Sequence, residues 1–333
     1  MRRKVITRSL LLLVTAVSLY LLAPSLIDVF SSADELDRLD PMWFGIVLVF
    51  VAATFLAIWE LQRIALRTSS WFAVGTSQLA GNAFGRVVPG GIAAAGALQY
   101  RMLVRGGVDG SRAASGLAAV SIVLFAVMLG LPVLSLPAIL GGLKVADGLR
   151  ETAYVGIGAF AAMLGVGAWF AVSERPLIAV ARGVEWLLNR VRRKTRTSGL
   201  SERVARERTL VLAAVGSRWW VALLAACGRW LFDYLALVAA LAAVGAEPDP
   251  SLVLLAFVVA SILSSIPITP GGLGFVEAGL TGTLVLAGVG GANAAIATLA
   301  YRLASFWAPL PAGLGAYFLA RRRCGPEEQD PPA

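Results

Sequence analysis

Several ionisable side chains stand inside runs that are otherwise apolar. Arg86 lies in Phe84-Gly85-Arg86-Val87-Val88-Pro89, and Glu277 in Gly274-Phe275-Val276-Glu277-Ala278. Arg229 and Asp233 stand four residues apart within the apolar run 211–244. That spacing puts them on one helical face, within pairing reach. Arg302 sits ten residues into the run 292–320, and Glu60 and Arg63 stand three apart near the end of the run 42–66. An ionisable group at the centre of a bilayer costs roughly 3 kcal/mol or more, so it faces a cavity or a partner. Arg86 and Arg302 suit an anion, because the guanidinium fork matches the geometry of a phosphate. Glu277 has two uses open to it: neutralising one of these arginines in the empty state, or holding a substrate amine. Arg229–Asp233 reads equally as a pair that fixes helix register and as part of a site. Glu60 and Arg63 read as interfacial side chains that snorkel to the headgroups. Tyr100-Arg101 and Arg105 read as ordinary inner-face positive charge.

Two of these charges flank matching breaks. The first break is Phe84-Gly85-Arg86-Val87-Val88-Pro89-Gly90-Gly91, and the second is Ser265-Ile266-Pro267-Ile268-Thr269-Pro270-Gly271-Gly272. Proline removes a backbone donor and glycine permits non-helical dihedrals, so each break predicts an irregular tip. Irregular backbone at membrane depth is tolerated where it is buried in protein or lines a wet cavity. A half-helix starting after such a tip directs free N–H groups and its positive dipole end toward that cavity. The residues proposed from sequence for an anion site are therefore Arg86, Pro89, Gly90, Gly91, Arg229, Asp233, Pro270, Gly271, Gly272, Glu277 and Arg302. The competing reading makes Pro-Gly-Gly an ordinary tight loop between short spans.

The elements that must position these residues follow from apolar runs and loop charge. Spans are expected at 9–30, 42–66, 112–140, 152–172, 211–244 and 292–320, with Pro132 and Pro137 bending or ending the third. The N-terminal run is read as a retained first span rather than a cleaved signal. The basic stretches are the N-terminus, Arg63/Arg67, Arg101/Arg105/Arg112, the loop 173–208 and Arg321-Arg322-Arg323, whereas 31–40 and Glu247/Asp249 are acidic. The loop 173–208 carries a net charge of +6, and its part Pro176 to Leu188 reads as an interfacial helix with Trp186 at the headgroup level. Placing every basic loop inside makes 71–105 leave and re-enter on the cytoplasmic side and 251–289 on the outer side. Both termini are then cytoplasmic, and 324–333 is expected to be a disordered tail. Pro89 precedes the expected helix start at Arg112 by 23 residues, and Pro270 precedes Ala292 by 22. The expected fold is an all-α polytopic membrane protein, one transmembrane domain over 1–323, with an inverted-topology repeat and two re-entrant helical hairpins.

Composition supports that class and removes others. Of the 333 residues, 58% are hydrophobic and only 15% charged, against about 25% in a soluble domain. The mean hydropathy is +0.78. The net charge of +9 sits between apolar runs, as topology signals do, and no aromatic-interleaved basic surface points to nucleic acid. The chain has no His, which removes histidine metal sites and histidine bases. Cys227 and Cys324 lie in unlike settings and read as free thiols. A lipid-phosphate transferase needs a base or a carboxylate cluster for a metal, and Asp and Glu are scattered. No Gly-rich nucleotide loop is present, so no ATP drive and no cofactor are expected.

Gly85-Arg86-Val87-Val88-Pro89-Gly90-Gly91, together with Pro267-Ile268-Thr269-Pro270-Gly271-Gly272-Leu273-Gly274 and Glu277, resembles the lysylphosphatidylglycerol synthase transmembrane-region family. That family is the flippase-like domain found fused to a synthase in multiple peptide resistance factors, and also alone. The resemblance covers residues 5–323, and the second motif is the more specific. It implies an inner-membrane protein that moves a lipid or lipid-linked species between leaflets. No aminoacyl-transfer domain follows residue 323, so the chain is not expected to make lysylphosphatidylglycerol. The expected partner is an anionic membrane lipid or a polyprenyl-linked substrate. A scaffold for a separate synthase or glycosyltransferase is the alternative, and a membrane-embedded transferase the third.

Overall fold

The computed structural model describes residues 40–88, 91–135, 219–265 and 272–324, with isolated helical positions between 151 and 165. The expected span 9–30, most of 152–172, the loop 173–208, Pro89, Gly90, Pro270, Gly271 and the tail beyond Cys324 lie outside the described residues. Nine α-helices are labelled here: α1 Pro41–Leu66, α2 Trp71–Val87, α3 Gly91–Arg105, α4 Gly110–Gly130, α5 Trp219–Ala243, α6 Pro250–Ser265, α7 Phe275–Leu286, α8 Gly291–Arg302 and α9 Pro309–Cys324. Among the described residues there is no strand.

The helix ends follow from local chemistry. Asp40 caps α1 by accepting from the Met42 N–H at 2.9 Å, and Pro41 occupies the first turn, where its missing donor costs nothing. Arg67 closes α1 in the left-handed region, at φ 48°. Asp109 caps α4. Pro132 cannot donate to the preceding turn, so α4 gives way to a 3₁₀ turn at Leu131–Ser135. Pro132 thus ends the α-helical part of the expected 112–140 span, as its position predicts, and residues 136–140 lie outside the described residues. The expected helix at 292–320 is present as the segment Gly291–Arg323, with one irregularity inside it. Between α8 and α9 lies a π turn, Leu303–Trp307, with the Ala308 N–H donating to the Leu303 carbonyl at 2.9 Å.

Lengths divide the helices into two kinds. The segments Pro41–Leu66, Gly110–Ser135, Trp219–Ala243 and Gly291–Arg323 are long and apolar enough to cross a membrane. At about 1.5 Å per residue, even the 25 residues of α5 exceed a hydrocarbon core about 30 Å thick. By contrast α2, α3, α6 and α7 have 17, 15, 16 and 12 residues. Met42, Val49, Ile122, Phe125, Trp219, Leu224 and Phe318 point outward on the long segments, as lipid-facing side chains do.

Packing joins α1 to α5 antiparallel. The Asp40 N–H donates to the Ala243 carbonyl at one end, and a Cβ at Gly228 would sit 3.8 Å from Ala57 Cβ near the other. Val47 and Val51 meet Ala236, Ala239 and Ala240 in this seam, joined by Ala300 and Ala304. Small residues let the backbones approach, which is the main source of helix association where lipid is as apolar as the side chains. In α4, Gly116 lies against Ala65 and Leu66 of α1, while Ala294 and Ala297 of α8 join the α5 cluster around Leu237 and Leu241.

The short helices form two pairs. In α2–α3, a Cβ on Gly85 would meet Ala95 Cβ and the Gly91 carbonyl at 2.7 Å, and one on Gly106 would meet Ala73 at 3.2 Å. These contacts run in opposite directions along the two helices, so the pair is an antiparallel hairpin. In α6–α7, Gly279 lies against Leu263, and Gly272, at φ 71°, lies near Ser264. The α2 helix also packs on α9, where Gly313 lies against Leu79 and Ala83.

Candidate functional site

The π turn between α8 and α9 is where the two hairpins meet. In a regular α-helix the Ser305 and Trp307 carbonyls would accept from the N–H groups of residues 309 and 311. In the π register those donors would serve Ala304 and Phe306. Both donors are absent, because both residues are proline. The segment is therefore short of backbone donors inside an apolar bundle, where an unpaired carbonyl is costly.

Arg86 supplies the missing donors. It stands in the last turn of α2, held at the hairpin tip by the close approach of Gly85 to α3. Its Nη2 donates to the Ser305 carbonyl at 2.9 Å, and its Nη1 donates to the Phe306 carbonyl. The guanidinium carbon also lies 4.7 Å from the centre of the Phe306 ring. Leu273, from the turn that leads into α7, packs on the same phenylalanine. One aromatic side chain thus touches a residue from each hairpin turn.

Arg302 completes the centre. Its guanidinium carbon lies 4.4 Å from the Phe306 ring centre, so two arginines share one aromatic ring. Arg302 Nε donates to Glu277 Oε1 at 2.6 Å, joining the end of α8 to the first turn of α7. Only 9% of the Arg302 side chain and 19% of the Glu277 side chain are exposed, so the ion pair is largely buried. Glu277 Oε2 is buried and has no hydrogen-bond partner among the described residues. A second pair lies alongside. Arg229 donates to Asp233 Oδ2 at 2.8 Å, and the Tyr301 hydroxyl donates to Asp233 Oδ1 at 2.8 Å. Arg229 also stacks on Trp230 at 4.0 Å. Arg86 is close enough to Arg302, Asp233 and Arg229 to feel their charges.

The ionisable residues proposed from sequence are therefore brought together: Arg86, Arg229, Asp233, Glu277 and Arg302 belong to one connected region. Gly91 heads α3 at φ 33°, and Gly272 forms the turn before α7. Glu60 and Arg63 belong elsewhere. They pair with each other at 2.7 Å on α1, and Arg63 lies over Trp71. Phe306, Tyr301 and the carbonyls of Ser305 and Phe306 were not among the residues proposed from sequence. The available signal was Pro309 and Pro311, two prolines inside an apolar run.

Chemically, three guanidinium groups face two carboxylates. Among the described residues, no carboxylate lies within ion-pair distance of Arg86. Its direct partners among the described residues are the two carbonyls and a ring face, with the Asp233 charge farther off. Such a centre favours one further anion. Among the described residues no cluster of three His, Cys, Asp or Glu could hold a metal ion.

The chain is similar to two proteins of Methanothermobacter thermautotrophicus (strain ATCC 29096 / DSM 1053 / JCM 10044 / NBRC 100330 / Delta H), each described as a UPF0104 membrane protein. One is 34% identical over 87 residues, 26% of this chain and 25% of the relative. The other is 35% identical over 89 residues, 27% of this chain and 26% of the relative. The match thus spans about a quarter of each relative. The sequence pattern of the family described as lysylphosphatidylglycerol synthase TM region matches residues 9–313. Long apolar helices and a match over nearly the whole length agree: this multi-pass membrane protein belongs to the lysylphosphatidylglycerol synthase transmembrane-region family.

Proposed function

We propose that this chain is a flippase-like transporter that moves an anionic phospholipid or a lipid-linked phosphate between leaflets. The observation that carries the reading is the convergence of Arg86, Arg302 and Phe306 where both hairpins meet. In this reading the headgroup phosphate binds the two arginines while the acyl or polyprenyl chains stay in lipid. Charges inside a membrane are costly and commonly mark a substrate path, which supports this reading.

Packing supports an inverted repeat with re-entrant hairpins. The α1 helix precedes one hairpin and α5 the other, and they lie antiparallel at the centre. The α4 helix follows one hairpin and packs on α1. The α8 helix follows the other and packs on α5. Gly110 and Gly291, which open α4 and α8, each stand 21 residues beyond the proline of the preceding Pro-Gly-Gly. In this reading the hairpins enter from opposite faces, and rocking of the halves exposes the centre to each leaflet in turn. In this reading the basic loops and both termini face the cytoplasm, and the chain sits in the inner membrane. The reading needs no catalytic residue and no cofactor. The family's name supports a phospholipid cargo.

The test is leaflet exchange in reconstituted vesicles. Wild-type protein should accelerate exchange of a fluorescent phosphatidylglycerol, and Arg302→Ala and Arg86→Ala should abolish it. No acceleration by folded wild-type protein, with copurification of a synthase or glycosyltransferase instead, would replace transport by a scaffolding role.

A further inference from the structure

Glu277 has two carboxylate oxygens in unlike positions. Oε1 holds Arg302 Nε at 2.6 Å, while Oε2 is buried with no hydrogen-bond partner among the described residues. Neighbouring elements place few other charges beside it. The α6 sequence Pro250–Ser265 contains no ionisable side chain. The α7 helix carries only Glu277 itself. The α8 helix brings Arg302 and Tyr301, and the Tyr301 hydroxyl is donated to Asp233. Across the α7–α8 contact the remaining polar link is neutral, Thr281 to Thr298 at 3.2 Å. The π turn contributes no charged side chain, and Arg86 reaches it from α2 to lie against the Phe306 ring, as Arg302 does.

An anion that binds Arg302 must therefore share that guanidinium with Glu277. Two anions on one cation in a largely buried site repel strongly, because the lowered dielectric that strengthens the ion pair strengthens the repulsion equally. Oε2 is buried and Oε1 holds Arg302, so moving the carboxylate charge away means breaking that ion pair. The remaining way to relieve the repulsion is to take up a proton. Oε2 is the oxygen with a free lone pair, and once protonated it can donate to the incoming anion.

We propose that Glu277 is the proton-accepting residue of the anion site, so that a phosphate-type anion and one proton bind together. The inference rests on the anion-site reading above and adds its counter-charge. No covalent bond to the anion forms or breaks. A proton moves from solvent to Glu277 Oε2, and the anion takes the place of the carboxylate charge opposite Arg302. The site's net charge is then unchanged by loading, which removes the electrostatic penalty of carrying a bare anion across hydrocarbon.

The sign follows from linkage. Where the free protein has Glu277 ionised and the loaded protein has it protonated, binding takes up one proton. Affinity then falls tenfold for each unit rise in pH across that window and is flat on either side. Purified full-length protein in detergent can be titrated with dihexanoyl phosphatidylglycerol, whose diester does not itself titrate near neutrality. Wild type should show the tenfold-per-unit slope, and an indicator dye in weak buffer should report about one proton taken up per lipid bound. Glu277→Gln, which keeps an oxygen for Arg302, should bind with no slope and take up no proton. A flat wild-type profile, an equal slope in Glu277→Gln, or no binding overturns the proposal. The dye measurement needs only wild type, so a misfolded variant does not blunt the test. Sulfate serves as a second arm. Sulfate that competes with the lipid and shows the same slope supports a site for free oxyanions. Lipid binding with that slope but no competition from sulfate supports a site for headgroups. Leaflet exchange that ignores pH sinks this inference and leaves transport standing. Proton-linked binding without exchange does the reverse.

Discussion

Arg86 should hold the last helix together as well as serve the site. Its two N–H groups answer carbonyls stranded by Pro309 and Pro311. A hydrogen bond from a charged donor contributes about 1.5–3 kcal/mol, and a buried carbonyl left unpaired costs about 1–3 kcal/mol. Removing the guanidinium also relieves the cost of burying it, so the terms partly offset. Arg86→Ala should therefore destabilise by about 3 kcal/mol rather than by the full sum. The sharper prediction is a coupling. Pro309→Ala returns one N–H that can serve Ser305 in the α register. In that background Arg86→Ala should cost about 1 kcal/mol less, the worth of one restored backbone bond. The assay is reversible unfolding in mixed micelles with dodecyl sulfate, followed by tryptophan fluorescence, on the four proteins of the double-mutant cycle. A coupling of zero would show that Arg86 does not compensate for the prolines, and the account of the π turn would fail.

Other outcomes follow from the packing and the caps. Gly→Ala normally stabilises an exposed helix position by about 1 kcal/mol. Gly313→Ala should instead destabilise, because its Cβ would meet the Leu79 carbonyl and, at 2.5 Å, Ala83 Cβ, whereas Gly45→Ala has nothing within 4 Å and should be neutral or better; the same unfolding assay compares the two. Phe306→Leu keeps an apolar side chain but removes the ring shared by Arg86 and Arg302, and should cost about 1–2 kcal/mol of stability and weaken phosphatidylglycerol binding. In the cap of α4, the Ser111 hydroxyl first and the Arg112 N–H next hold the Asp109 carboxyl below the usual carboxylate range. A lowered carboxyl stabilises the fold above its unfolded titration range, and the benefit disappears as pH falls through the folded value. Hydrogen exchange in the first turn of α4 should therefore show Asp109→Ala fraying near neutral pH and matching wild type in acid, while Asp109→Asn, which still caps, should show no such acid-dependent change.

The sequence by itself determined the class of the molecule and the charges that matter. Apolar runs and sparse charge fix a polytopic helical membrane protein, because hydrocarbon rewards only closed backbone hydrogen bonding. Arg86, Arg229, Asp233, Glu277 and Arg302 could be singled out for the same reason, since a charge in such a run needs a partner or a passenger. The Arg229–Asp233 pair was legible because both residues belong to one helix, where spacing fixes distance. The pairing of Glu277 with Arg302 stood only as one case of one of two uses, since the two are 25 residues apart and belong to different helices. The meeting of Arg86 with Ser305 and Phe306, some 220 residues away, was not legible at all. It depends on how α2 lies against α9, which side-chain volumes and glycine contacts decide together. The π turn shows the division plainly. Pro309 and Pro311 announce that backbone donors are missing, but only the tertiary structure decides which group supplies them. That choice turns a row of separate charges into one arginine-rich centre.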